Sequence, residues 1–177
     1  MREIDRLSII HARDTLTTNE AYRIIMRKTG KREPDGHMGD SGERLSIYMP
    51  DALLRSTDEE RLREYASLLS KSEFGEAEML DLPKEAKRHI ALAVLEHFVS
   101  KGSLFQAQRM MESMDLEGTD AEERITNGIR RIIVHGNGTR RYAALAASTF
   151  EIEREKFMSL FEVLEDKPNG NAALLRK

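Results

Sequence analysis

The stretch RRIIVHGNGTRRYAA, residues 130 to 144, sets Arg130 and Arg131 before His135 and a glycine-rich turn, and Arg140 and Arg141 after it, with no acid between. Such a cluster can hold an anion or an acidic partner surface through charge-assisted hydrogen bonds. Elsewhere, His89 and His97 stand eight residues apart, with Glu85 and Glu96 close to them in sequence. Two histidines grip a divalent metal from one helix face at a spacing of four, and the residue four after His89 is Ala93, so no metal site is read here. Asp35, Asp40 and Glu43 lack the spacing of a calcium loop and read as solvated acids. HGNGT lacks the lysine of a phosphate-cradling loop. The absence of cysteine removes disulfides, thiolate catalysis and cysteine-ligated metals. The reading is therefore no catalytic set, no metal and no cofactor.

Two short stretches resemble known families. GDSG, residues 39 to 42, is also found around the nucleophile of chymotrypsin-like serine proteases, which are all-β; Ser41 here sits in a glycine-rich loop and is read as no nucleophile. RLSIYMPDALLR, from Arg44, alternates Leu45, Ile47 and Met49 with Arg44, Ser46 and Tyr48, then turns through Pro50 into a helix. It resembles the opening of ribbon-helix-helix DNA-binding proteins, in which two chains pair such strands and lay the polar face in the major groove. The resemblance implies that Arg44, Ser46 and Tyr48 would read bases, and that backbone near Ser70 to Ser72 would touch phosphate. Departures are a first helix of about 20 residues and the acids Asp58, Glu59, Glu60 and Glu64 near the phosphates.

The elements that must position these residues are helical. Leu62, Tyr65, Ala66 and Leu69 follow the i, i+3, i+4, i+7 pattern, as do Leu104, Ala107, Met111 and Met114. Ile125, Ile129, Ile132 and Ile133, and then Phe157, Leu160, Phe161 and Leu164, continue it. Lys84 to Ser100 is apolar nearly all round and reads as the most buried helix. Thr57 with Glu60 and Thr119 with Glu122 have capping-box spacing. Upstream, Thr17 to Glu20 reads as the cap of a helix carrying Tyr22, Ile25 and Met26, followed by a loop over 28–43. SKSEFGEA (70–77), SKGSLFQA (100–107) and GTRRYA (138–143) echo one another, ending on Ala77, Ala107 and Ala143. The echo resembles the second half of a tetratricopeptide unit, while similar turns between antiparallel helices account for it equally.

Composition frames the rest. Among 177 residues, 40% are apolar and 33% charged, with no Trp, which fits a well-solvated helical protein. A net charge of −3 gives no global attraction to nucleic acid or to an anionic membrane. The most apolar run, 89–99, is about half the length that spans a bilayer. The expectation is an all-α, cytoplasmic protein: a single domain of six to seven helices in antiparallel hairpins, with room for one short strand at 44–49. Residues 1–27 form short N-terminal helices, 28–43 a flexible linker and 44–177 the main helical domain. Charge is segregated, acidic over 112–123, basic over 130–141 and acidic again over 151–166. This points to a non-enzymatic regulatory or adaptor protein that binds another protein and self-associates; the alternative is a DNA-binding regulator using residues 44–80. An acidic neighbour from 112–123 or 151–166, rather than a bound anion, is expected against the arginines.

Overall fold

The computed structural model describes residues 23–29, 44–135 and 140–165. Within them, the alternation seen in RLSIYM becomes a strand, β2 (Arg44–Met49), with Leu45, Ile47 and Met49 buried. Its partner is β1 (Arg23–Lys28), paired in parallel from Arg23↔Arg44 to Lys28↔Met49. This corrects the helix expected to carry Ile25 and Met26. RIIMRK fits either period, but as a strand its Ile24 and Met26 fall on the buried side beside Leu45 and Ile47, and pairing with β2 decides between the two. Thr29 extends the ladder, its backbone N–H and hydroxyl both donating to the Met49 carbonyl at 2.9 and 3.1 Å.

Eight helices follow among the described residues: α1 (Asp51–Ser56), α2 (Glu59–Ser70), α3 (Phe74–Met79), α4 (Lys84–Ser100), α5 (Leu104–Ser113), α6 (Thr119–His135), α7 (Arg140–Thr149) and α8 (Arg154–Glu165). The protein is thus mostly helical, with one small sheet. The stretch 51–70 is two helices because Asp58 caps α2, its carboxylate accepting from the Glu60 N–H at 3.0 Å; Thr57, expected as the cap, ends α1 instead. The apolar helix α4 is indeed central: it packs against α2, α5, α6 and β2. In one layer α2, α4, α6 and α8 lie side by side; α3, α5 and α7 pack back on α2, α4 and α6 respectively, and β1 covers α2.

Four of the turns between described helices share one geometry. After α2 the Ser72 N–H bonds the Leu69 carbonyl and the Glu73 N–H the Leu68 carbonyl; after α4, Gly102 and Ser103 do the same to Val99 and Phe98. Each is a Schellman ending with its pivot in the left-handed region, φ 64° at Ser72 and 75° at Gly102. The endings of α5 and α7 repeat it, pivoting on Asp115 (φ 49°) and Glu151 (φ 53°). Ala77, Ala107 and Ala143, the last residues of the sequence echo, are all fully buried on the second helix of their hairpins.

Helices α4 and α6 approach each other closely at Gly128. A Cβ there would lie 2.7 Å from Val99 Cβ and 2.9 Å from the Glu96 carbonyl oxygen. One turn to either side of Gly128, Arg124 and Arg131 reach across to Glu96, with Nη1–Oε2 of 3.0 Å and Nη2–Oε1 of 2.8 Å. Both oxygens of an otherwise costly buried carboxylate are thereby paired.

Candidate binding cleft

Where the α3–α4 connection meets the α5–α6 connection, a cleft of about 670 Å³ opens. Leu80, Leu82, Ala91, Met114 and Leu116 line it, and Met79 stands on its lip with 87% of its surface exposed. Leu82 and Leu116 are buried because they turn back under the connections, and the Schellman ending at Asp115 sets the second of these. Charged groups of both signs share the lining: Glu78, Asp81 and Asp115 on one hand, Lys84, Lys87 and Arg88 on the other.

The cations are mostly engaged. Arg88 donates from Nε and Nη2 to both Asp120 oxygens at 2.9 and 2.8 Å, and Nη2 also bonds the Glu117 carbonyl at 2.8 Å. Its hydrogen bonds hold the Asp120 carboxyl below the usual carboxylate range and raise the guanidinium in turn. Lys87 Nζ donates to the Glu78 backbone carbonyl at 2.8 Å and sits 5.9 Å from the centre of the Tyr65 ring.

Tyr65 supplies part of the wall. Its side chain is fully buried and its hydroxyl has no hydrogen-bond partner among the described residues. Burial first, then the charge of Glu78, push its ionisation far above the usual tyrosine range. Tyr65 therefore stays a neutral donor and acceptor of hydrogen bonds at any physiological pH and is a poor general base. Nothing in the sequence marked it: it occupied one position of an apolar helical stripe. The cleft draws on three segments, around 65, 78–91 and 114–116, whose meeting no local pattern encodes.

The residues singled out by the sequence lie elsewhere. Arg44, Ser46 and Tyr48 share the outer face of β2, Arg44 exposed, Ser46 half-buried and Tyr48 40% exposed. The register sets Arg23, Ile25 and Arg27 beside them on that face. The strand's partner is β1 of the same chain. Because the Met49 carbonyl points to β1, that of Tyr48 points to the opposite edge, where the His89 Nε2–H donates to it. Ser70 ends α2 and Ser72 is the turn pivot, so the second helix begins at Phe74, after the serines expected to open it.

Of the arginine cluster, Arg130 donates to Asn127 at 2.9 Å and Arg131 pairs with Glu96, while Arg141 lies exposed in the first turn of α7. His135 and Arg140 end and begin helices, with side chains outside the described set, as are residues 136–139 between them. The carboxylate against Arg131 thus comes from α4, in place of the acidic segments expected. Those segments pair elsewhere, Asp120 with Arg88 and Glu122 with Lys156 of α8. Ser41, Asp35, Asp40 and Glu43 fall outside the described residues, and among those described no three His, Asp or Glu side chains gather to hold a metal ion. No described helix is long and apolar enough to cross a membrane. Compared with known families, curated proteins and solved structures, the chain matches none.

Proposed function

We propose that this is a non-enzymatic regulatory or adaptor protein of the cytoplasm that works by binding another protein, with self-association belonging to the same reading. The observation that carries it is the cleft beside Met79. A large thioether held 87% exposed at the mouth of an apolar-lined, charge-rimmed hollow has the make-up of an interface, an apolar centre with a polar margin. Stacked helical hairpins also offer extended surfaces suited to such contacts. In the test, partners are cross-linked to purified protein in lysate with and without nuclease, alongside Met79→Lys. That substitution leaves stability unchanged, since Met79 packs against little, and it should abolish capture of partners that survive nuclease. Equal capture by both proteins overturns the cleft as the contact, and light scattering of the purified chain tests self-association.

A second reading, a DNA-binding regulator acting through β2, is favoured by the strand register, which sets Arg23 and Arg27 beside Arg44 and Tyr48 on one face of the two-stranded sheet. Phosphates are attracted to such a face and lose it as salt rises. Under this reading Arg44→Ala and Tyr48→Ala weaken binding to duplex DNA at low salt; absence of that binding removes it. Arg131, engaged with Glu96, and Arg141 would at most add phosphate contacts.

A further inference from the structure

The cleft has an imbalance that points to a particular ligand chemistry. Of its three cations, Arg88 is locked to Asp120 and the Glu117 carbonyl, and Lys87 to the Glu78 carbonyl. Only Lys84 is left without a hydrogen bond or ion pair among the described residues. The carboxylates of Glu78, Asp81 and Asp115 have none either, Asp115 being felt by Arg88 through charge alone, so the groups still able to form a hydrogen-bonded pair are three anions against one cation. Beside them the buried Tyr65 hydroxyl lacks a partner, close enough to Glu78 to feel its charge. An unsatisfied buried hydroxyl costs stability, and a ligand that supplied its hydrogen bond would recover that cost.

We propose that the cleft binds a basic, apolar peptide segment of a protein partner, an arginine lying between Glu78 and the Tyr65 hydroxyl and its apolar neighbours covering Leu80, Leu82 and Met114. Arginine fits better than lysine because its planar fork of donors can serve a carboxylate and a hydroxyl at once, and because it is more weakly hydrated. Asp81 and Asp115 then meet flanking basic residues, and Met79 closes over the apolar ones. The inference rests on the protein-binding reading above and adds the partner's chemistry.

The test is fluorescence anisotropy with a labelled peptide Leu-Arg-Leu-Leu-Arg-Leu, its Arg→Lys and Arg→Glu counterparts, and free arginine as competitor. The arginine peptide should bind, the lysine version more weakly and the glutamate version not at all. Glu78→Gln, Asp81→Asn and Asp115→Asn together should weaken binding at least about tenfold, while Glu123→Gln with Glu155→Gln, an outward-facing pair on α6 and α8, should leave it within about twofold. Tyr65→Phe supplies a signature that a structural role would not give, weaker peptide binding together with a higher melting temperature. Equal loss in the cleft and control variants, glutamate peptide binding as tightly, or competition by free arginine at the peptide's own concentration each overturns the proposal. If partner capture in lysate persists while the arginine peptide fails, this inference falls and the adaptor reading stands.

Discussion

Gly128→Ala should destabilise the protein although alanine is the better helix former, and the structure says by how much. The new methyl would lie 2.7 Å from Val99 Cβ, 2.8 Å from Val99 Cγ1 and 2.9 Å from the Glu96 carbonyl oxygen, where ordinary contact needs 3.4 Å or more. Val99 can turn Cγ1 aside, but neither its Cβ nor a backbone carbonyl can swing away, so α4 and α6 must separate by more than half an ångström. Overpacking of this kind costs about 1–3 kcal/mol, against which removing a helical glycine returns about 1 kcal/mol. Separation also stretches the 2.8 and 3.0 Å pairs of Glu96 with Arg131 and Arg124, and we expect a net loss of about 2 kcal/mol. For a chain of this length that is a melting temperature lower by roughly 4–8 °C. Gly75 is the internal control. It too is helical, but a Cβ there meets nothing within 4 Å, so Gly75→Ala should raise stability by about 0.5–1 kcal/mol. Val99→Ala added to Gly128→Ala should rescue only in part, since the carbonyl contact persists. Thermal and urea unfolding of the four proteins decides: a Gly128→Ala variant as stable as the parent, or the same sign at both glycines, would refute the account of the α4–α6 approach.

The other expectations follow from single groups. Glu151 is exposed and held at φ 53°, so Glu151→Gly should raise stability by about 1 kcal/mol in calorimetry, and Ser72→Gly, which also removes a buried unpartnered hydroxyl, by at least as much. The Asp120 carboxyl is held low by Arg88, so the pair stabilises above the ordinary carboxylate pKa near 4 and is lost as pH falls through the folded value. Both side chains are nearly half exposed, which limits the effect to about 1 kcal/mol; melting curves of Asp120→Asn and the parent should differ at pH 7 and converge near pH 3. Tyr65 has a raised folded pKa, so its contribution is whole below the ordinary tyrosine value near 10 and lost above it. The advantage of Tyr65→Phe in melting temperature should therefore widen from pH 9 to pH 11.

What was legible in the sequence was what a single element decides alone. Helix α4 is readable because it is apolar nearly all round, and β2 because Leu45, Ile47 and Met49 keep a period of two that no helix face reproduces. β1 was not, because RIIMRK satisfies both periods and its choice depends on a partner about twenty residues away. Three of the four Schellman endings were hidden for a different reason. The usual signal is glycine, and only Gly102 carries it; Ser72, Asp115 and Glu151 adopt the same left-handed pivot against their preference, held there by the packing of the hairpin. The acid-rich runs are where the sequence points for a partner of Arg131, but that partner is Glu96, the one acid in the apolar run 89–99 of α4. That isolation was the usable clue, since a carboxylate in a buried run must find a counter-charge.

The cleft follows from the same hairpin geometry. Each chain exit, 79–82 after α3 and 114–116 after α5, returns the chain to the layer of α2, α4 and α6, and both line one hollow. A Schellman ending such as that at Asp115 turns the chain in a few residues, which folds an apolar side chain such as Leu116 under the connection and leaves the charged pivot outside. Two exits at one end of the stack therefore make an apolar hollow with a charged rim without any residue being spared for it. Tyr65 breaks that economy, since phenylalanine would fill the same space without an orphaned hydroxyl. The cleft variants and Tyr65→Phe accordingly probe different things: the first ask whether the rim recognises charge, the second whether a ligand satisfies the hydroxyl that the fold leaves without a partner in the cleft wall.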